Sequence, residues 1–331
     1  MINKSDIKKI LITRTDSLGD VMLTLPLINE TRKLFGDAEI YFLVKEYAGD
    51  IVRNYPGIDE TVIMEDIPGF MKKYNYFLKK KFDLVINVKP EFVLAFLFFV
   101  SKIKYRIGTA YRWYSFLYNC KVREHRKHSE KHESEYNINL LKTFFDEVKS
   151  NKDFYLKYSG EERICLNNKL SGILDKKYII IHPGSRGSAK DLPAERFTVF
   201  SDKMLSNYPG LKIVITGVET EKTVISSIAD SLRKRHSDSV SDLSGKLNLR
   251  ELMILIDNSQ IFISNSTGPI HIAGALNKSI IGFYPNEKVI SDVRWRPLSD
   301  KAVILKPSSG NDNMNEIKDE EIMNSVSKFF N

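Results

Sequence analysis

The sequence predicts an α/β protein made of two doubly wound domains, and three observations carry that prediction. Short β-branched runs alternate with longer stretches of helical periodicity, the signature of strand-helix-strand units around a parallel sheet. The alternation fails near the middle of the chain and restarts at Tyr178, so that two similar arrays follow one another. A length of 331 residues suits two domains, and 42% apolar with 28% charged residues describes a folded globular chain rather than a disordered one or a membrane bundle.

In the first array, strands are expected at 9–13, 39–44, 61–64, 83–88 and 105–107, with helices at 21–34 and 68–80. The uncharged run "FVLAFLFFV", residues 92–100, is about half the length that spans a bilayer. It suits a buried helix, and the basic stretch after it keeps a membrane-dipping helix as the alternative. Regular alternation fails from 111 to 133, and function often sits where a regular fold inserts irregular chain. In the second array, "YIIIHPGS", "KIVITG", "IFISN" and "SIIGFYP" read as buried strands. Helices fit between them at 194–206, 219–235, 249–258 and 269–276, a linker at 157–175, and a last helix at 315–330. The expected domains are 1–160 and 175–310.

The formal charge is +8, and residues 102–132 alone carry nine Lys or Arg against two Glu. So concentrated a basic segment implies an anionic partner: nucleic acid, acidic lipid or a phosphorylated glycan. Arg112, Arg123, Arg126 and Lys127 are its candidate contacts. The segment lacks interleaved aromatics in a nucleic-acid motif, which sets nucleic acid aside. Cys120 and Cys165 are far apart with no metal-ligand spacing, and the polar start "MINKSDIKK" has no apolar signal core. A reducing, cytoplasmic location and no metal site are expected.

Ligands of open parallel sheets bind outside the carboxyl ends of the strands, so the strand-end loops hold the chemistry. In "TRTDSLGDV", residues 13–21, Gly19 permits a tight turn into a helix and Asp20 sits in its first turn, where the helix dipole favours a carboxylate. Asp20 fits two roles, a base aimed at a ligand or a cap of its own helix, with Ser17 a competing cap. In "HPGSRGSAKDLPAERF", Ser185, Arg186 and Lys190 lie among small residues ahead of a helix, a phosphate cradle that is not a Walker A loop. In "SNSTGPIHIAGAL", the hydroxyls of Ser266 and Thr267 and the helix start at Gly268 can hold a second anionic oxygen; His271 is a ligand or a structural histidine. In "TGVETEK", Gly217 admits a flat group, and Glu219 suits a sugar hydroxyl or a helix cap. Two phosphate-friendly helix starts in one domain and an acid in the other suggest a nucleoside-diphosphate donor facing a base. No two aspartates are separated by one residue, so a metal-binding Asp-x-Asp motif is missing.

Taken together, "ILITRTDSLGDVMLTLP", "HPGSRGSAKDLPAERF" and "SNSTGPIHIAGAL" resemble the bacterial heptosyltransferases of glycosyltransferase family 9, which build the inner core of lipopolysaccharide. The resemblance implies a GT-B fold: two Rossmann-like domains facing a central cleft, with the C-terminal helix, 315–331, crossing back to the N-terminal domain. It also implies inverting, metal-independent transfer from a nucleotide sugar, ADP-heptose in the characterised members; with the basic segment, the expectation is a cofactor-free enzyme that favours an ADP-sugar, acts on a lipid-linked anionic glycan and makes peripheral contact at the inner membrane surface. By the same resemblance Asp20 is the general base, with Gly19 beside it on the acceptor side. Ser185 and Lys190 hold the donor phosphates, and Ser266, Thr267 and Gly268 bind phosphate and sugar. The ribose-holding acid falls nearest Arg250, with Glu251 one place away. Two departures bear on the sugar: Ser266 stands where characterised members commonly have Asp, and Leu192 where they often have Trp. A different nucleotide sugar, used for another surface glycan, is therefore the alternative.

Overall fold

The computed structural model describes residues 2–185, 187 and 190–330, and the chain divides into two compact units, Met1–Leu156 and Lys157–Asn331. In the first, β1 (Lys9–Thr13), β2 (Glu39–Val44), β3 (Glu60–Ile63), β4 (Leu84–Asn87), β5 (Tyr105–Thr109) and β6 (Cys120–Val122) form one parallel sheet in the order β3-β2-β1-β4-β5-β6. Its helices are α1 (Leu18–Met22), α2 (Leu25–Leu34), α3 (Glu46–Val52), α4 (Gly69–Lys80), α5 (Phe92–Val100) and α6 (Glu133–Lys142).

The second unit repeats the winding. It runs α7 (Gly160–Lys169), β7 (Tyr178–His182), α8 (Ala194–Asn207), β8 (Lys212–Ile215), α9 (Lys222–His236), β9 (Val240–Asp242), α10 (Leu249–Asn258), β10 (Ile261–Asn265), α11 (Gly268–Ala275), β11 (Ser279–Phe283), α12 (Asp292–Trp295), β12 (Ala302–Leu305) and α13 (Asp319–Phe330). The sheet order is β12-β11-β10-β7-β8-β9, again parallel. Central strands such as Ile10, Leu11 and Ile12, or Ile179, Ile180 and Ile181, are buried on both faces, so they read as continuous apolar runs. The winding reverses between β1 and β4 and between β7 and β10, where successive connections leave for opposite faces and open a crevice.

The structure departs from the sequence reading in three places. The helix expected at 21–34 is two helices, because Pro26 lacks an N–H and its ring crowds the carbonyl four residues back. Thr24 at the break donates its hydroxyl to the Asp20 carbonyl (2.8 Å). The expected linker at 157–175 contains α7, opened by a capping box of Ser159 and Glu162 and tied to α10 by the Arg250–Glu162 ion pair (Nη2 to Oε2, 3.0 Å). The run at 92–100 is neither wholly buried nor long enough to cross a membrane: Leu94, Ala95, Leu97 and Phe98 face the core while Phe92, Val93, Phe96 and Phe99 are exposed. The last helix packs against α8, β11 and β12 of the second unit.

Local chemistry explains the position of that last helix. Ile317, Ile322 and Val326 join the core formed by Phe200, Met204 and Phe283, and the Tyr208 and Phe330 rings stack at 4.5 Å. Asp319 in the first turn of α13 accepts from Arg196 (2.6 Å) and Lys203 (2.9 Å) of α8. Truncating Ile322 to alanine should therefore destabilise the second unit by about 3 kcal/mol, the usual cost of emptying an aliphatic site in a packed core. A urea titration that follows this unit's unfolding would show the loss as a lower midpoint, and an unchanged midpoint would mean that α13 is not part of its core.

Candidate active site

In the first unit, the chain leaves β1 at Arg14, whose N–H still bonds to the Leu43 carbonyl (3.0 Å) and so holds the residue at the reversal point of the sheet. The Arg14 side chain is buried among three acids: Nε donates to Asp16 (2.7 Å), Nη1 to Glu133 (3.1 Å) and Nη2 to Asp20. Glu133 is fully buried in the first turn of α6 and also accepts from Arg126 (2.6 Å). Asn137, one turn further on, accepts from both guanidiniums (3.2 and 3.0 Å) and donates to the Leu23 carbonyl (2.9 Å). Two cations thus face three carboxylates. The second oxygen of Asp20 accepts from the Ser17 hydroxyl, so the carboxylate is oriented from both sides. Ser17 makes no capping bond to the helix backbone. Gly19 lies within α1 and is buried there; it is part of the helix rather than the turn that leads into it.

The second unit places three of its expected loops at strand ends of one sheet. After β7, Ser185 is buried and donates its hydroxyl to Asp191 (2.8 Å). Asp191 as a residue is exposed, but its carboxyl turns back onto the buried serine, where desolvation pushes its pKa up to about 6 against the lowering effect of that bond. After β10, Thr267 takes the N-cap position of α11 with extended backbone and no side-chain capping bond, and Pro269 sits in the first turn. The buried amide of Asn265 joins the two loops: Oδ1 accepts from the Leu192 N–H (2.9 Å) and Nδ2 donates to the Pro183 carbonyl (2.6 Å). His182 closes β7 from inside, bonded to the Thr216 hydroxyl (2.9 Å). Backbone N–H groups at the start of α11 are donors suited to an anionic ligand, and the Ser185 hydroxyl would join them only by giving up its bond to Asp191. Among the described residues no group of His, Cys, Asp and Glu is set to hold a metal ion.

A sequence model of glycosyltransferase family 9 (heptosyltransferase) matches residues 73–326. The chain belongs to glycosyltransferase family 9. It is 29% identical to a Haemophilus influenzae protein named only provisionally as a glycosyltransferase, over 92% of this chain and 90% of that one. It is 23% identical to lipopolysaccharide heptosyltransferase 3 of Escherichia coli, over 86% and 85% of the two chains. The solved ADP-heptose LPS heptosyltransferase II of Escherichia coli superposes with a TM-score of 0.83 at 20% identity, covering 98% of each chain. The GT-B architecture and the heptosyltransferase-like glycosyltransferase class follow.

Within this family 9 enzyme, several residues singled out by sequence have structural duties of their own. Lys190 pairs with Asp312 (2.7 Å) and Glu287 (3.0 Å), which raise the pKa of its ammonium group, so it meets a phosphate only by exchanging partners. Glu251 forms a capping box with Asn248 and binds Lys169 (2.7 Å), so both of its oxygens are engaged. At Gly217 an added Cβ would come within 2.0 Å of Ile225 Cδ1 and would need that terminal methyl to shift. Glu219 is exposed and pairs with Lys222 (3.0 Å) rather than capping α9. Arg126 belongs to the buried network on Glu133, whereas Arg112, Arg123 and Lys127 remain on the surface. His271 is buried in the first turn of α11, and Ser266 donates its N–H to the Phe283 carbonyl (3.1 Å). Arg186 lies outside the described residues.

Sequence reasoning passed over Arg14, Asn265 and Asp191. Arg14 and Asn265 are the polar residues directly at the ends of otherwise apolar strands, a signal that was present in the pattern. Asp191 gave none, because its neighbour Ser185 is six residues away and only the folded loop joins them. Its raised pKa has a measurable sign. Between about pH 4 and about pH 6 the folded chain keeps a proton that the unfolded chain has released. Stability of the second unit should therefore fall as pH rises through that window and level off above it. Asp191→Asn should remove that slope in denaturant titrations made across the window, and an unaltered slope would show that the carboxyl is not desolvated.

Proposed function

We propose that this chain catalyses inverting, metal-independent transfer of a sugar from a nucleoside diphosphate, an ADP-sugar by preference, to a lipid-linked anionic glycan of the lipopolysaccharide core type. It would work at the cytoplasmic face of the inner membrane. The observation that carries the reading is the placement of a doubly oriented carboxylate, Asp20, at the strand reversal of one unit and of α11's helix start with Ser185 at that of the other. The ADP-heptose specificity named for the Escherichia coli relative supports an adenine nucleotide and a heptose.

In this mechanism Asp20 takes the proton of an acceptor hydroxyl while that oxygen forms its bond to the anomeric carbon from the face opposite the diphosphate. The bond from the anomeric carbon to the diphosphate oxygen breaks, its electron pair leaving with the nucleotide. N–H groups at the start of α11, the Ser185 hydroxyl, released from Asp191, and Lys190, released from Asp312 and Glu287, take up the developing charge. Arg14 orients the base, and Arg112, Arg123 and Lys127 would meet acceptor or lipid phosphates. The reading that favours another nucleotide sugar rests on Ser266, a small hydroxyl that the buried Tyr284 also engages, at a sugar-contacting position.

Asp20→Ala should lower kcat at least about a thousandfold while the affinity for ADP stays within about twofold. Turnover at the parent rate would sink the assignment of the base. Thermal shift with ADP, UDP and their sugars, run on the same variant, separates the donors, because only a bound ligand raises the melting temperature.

A further inference from the structure

The first unit carries an apolar surface that the chemistry at Asp20 does not use. Helix α5 is apolar on every side, so whichever face is not packed on the core is unsuited to water. Its outward residues Phe92 and Phe96 touch (6.0 Å between ring centroids), Phe96 meets Phe70 in the first turn of α4 (6.1 Å), and Phe92 meets Trp113 (4.8 Å). Trp113 and Phe116, in the turn between β5 and β6, are 74% and 67% exposed. Aromatic residues joined in this way form one patch rather than scattered surface side chains.

The charge around the patch is predominantly positive, with Glu91 at the start of α5 and Glu65 and Asp66 ahead of α4 as acids at its edge. Residues 67–82 and 92–123, which supply α4, α5 and the turn, contain eleven Lys or Arg and no Asp or Glu. Lys72, Lys102 and Arg112 are exposed beside the aromatic residues in sequence, and the Arg106 guanidinium lies over the Phe99 ring at 5.5 Å. Aromatic rings ringed by cations match an anionic bilayer surface, where the rings enter the headgroup region and the cations reach lipid phosphates. A second copy of this chain would bring the same positive rim against itself, which opposes symmetric pairing through this face.

We propose that α4, α5 and the turn at 111–116 dock the enzyme on an anionic membrane surface, with Trp113 and Phe116 entering the headgroup region. The inference rests on the peripheral-membrane reading above and deepens it, since it assigns the contact to this aromatic face rather than to the basic loop at 123–131.

The test is co-sedimentation of the full chain with vesicles of phosphatidylcholine alone and with about one third phosphatidylglycerol. The parent should bind the anionic vesicles at least about tenfold more tightly, and Trp113→Ser combined with Phe116→Ser should weaken that binding at least about tenfold. Both side chains are exposed, so the melting temperature and ADP affinity of the double variant should not change. The chain has two tryptophans, so a Trp295→Phe protein reports on Trp113 alone, and its emission should shift to the blue on anionic vesicles. If the double variant binds like the parent while Arg123→Ala with Lys127→Ala does not bind, the aromatic assignment fails and the peripheral reading stands. If the parent binds no vesicle, both fail. A concentration-dependent dimer abolished by the same double substitution would reassign the face to self-association.

Discussion

A parallel sheet wound outward in two directions from one central strand has a gap at the reversal, and each unit closes that gap with a buried asparagine at the end of its fourth strand. In the first, Asn87 accepts from the Thr13 hydroxyl (2.9 Å) and donates to the Tyr118 hydroxyl (2.6 Å). In the second, Asn265 holds the chain on either side of the β7 loop through Pro183 and Leu192. A buried amide left without partners costs far more than a satisfied one contributes, so each asparagine admits few arrangements of the loops around it. The candidate phosphate donors lie on the loops that Asn265 joins, whereas Asp20 is oriented by Arg14, the residue that follows Thr13.

The two units then handle charge in opposite ways. The first concentrates it: Arg14 and Arg126 sit among Asp16, Asp20 and Glu133, in a region where an unpaired ion is costly. Asp16 has its explanation in this network, as a second carboxylate that fixes the Arg14 guanidinium whose other edge orients Asp20. The second unit disperses charge. Asp191 is pushed towards its neutral form at the loop where a diphosphate would bind, and Lys190 waits in an exposed ion pair of the kind that contributes little to stability and exchanges readily. One arrangement favours holding a single geometry, and the other favours admitting an anion.

Most of the fold was legible in the sequence because buried parallel strands announce themselves as apolar runs. The edge strands β6, β9 and β12 escaped, since three or four residues that are exposed on one side carry little pattern. The site was legible to the level of loops. Ser185 and Thr267 lie in loops that follow strands and Asp20 in the first turn of the helix after β1, while Glu251 also serves a capping box and Arg126 a buried ion network, duties that the sequence did not announce. Residue type and position relative to a strand do not reveal which neighbour will use a side chain first.

The sequence by itself determined the two strand-helix arrays, the strand-end location of the chemistry and the membership of a glycosyltransferase family, because these depend on local periodicity and on short contiguous motifs. Tertiary structure decided that α13 belongs to the second unit, that Arg14 rather than Ser17 alone orients Asp20, and that the run at 92–100 buries one face and exposes the other. Each of those outcomes rests on contacts between segments far apart in the chain. Glu133 lies 119 residues from Arg14, and no local pattern encodes such a pairing.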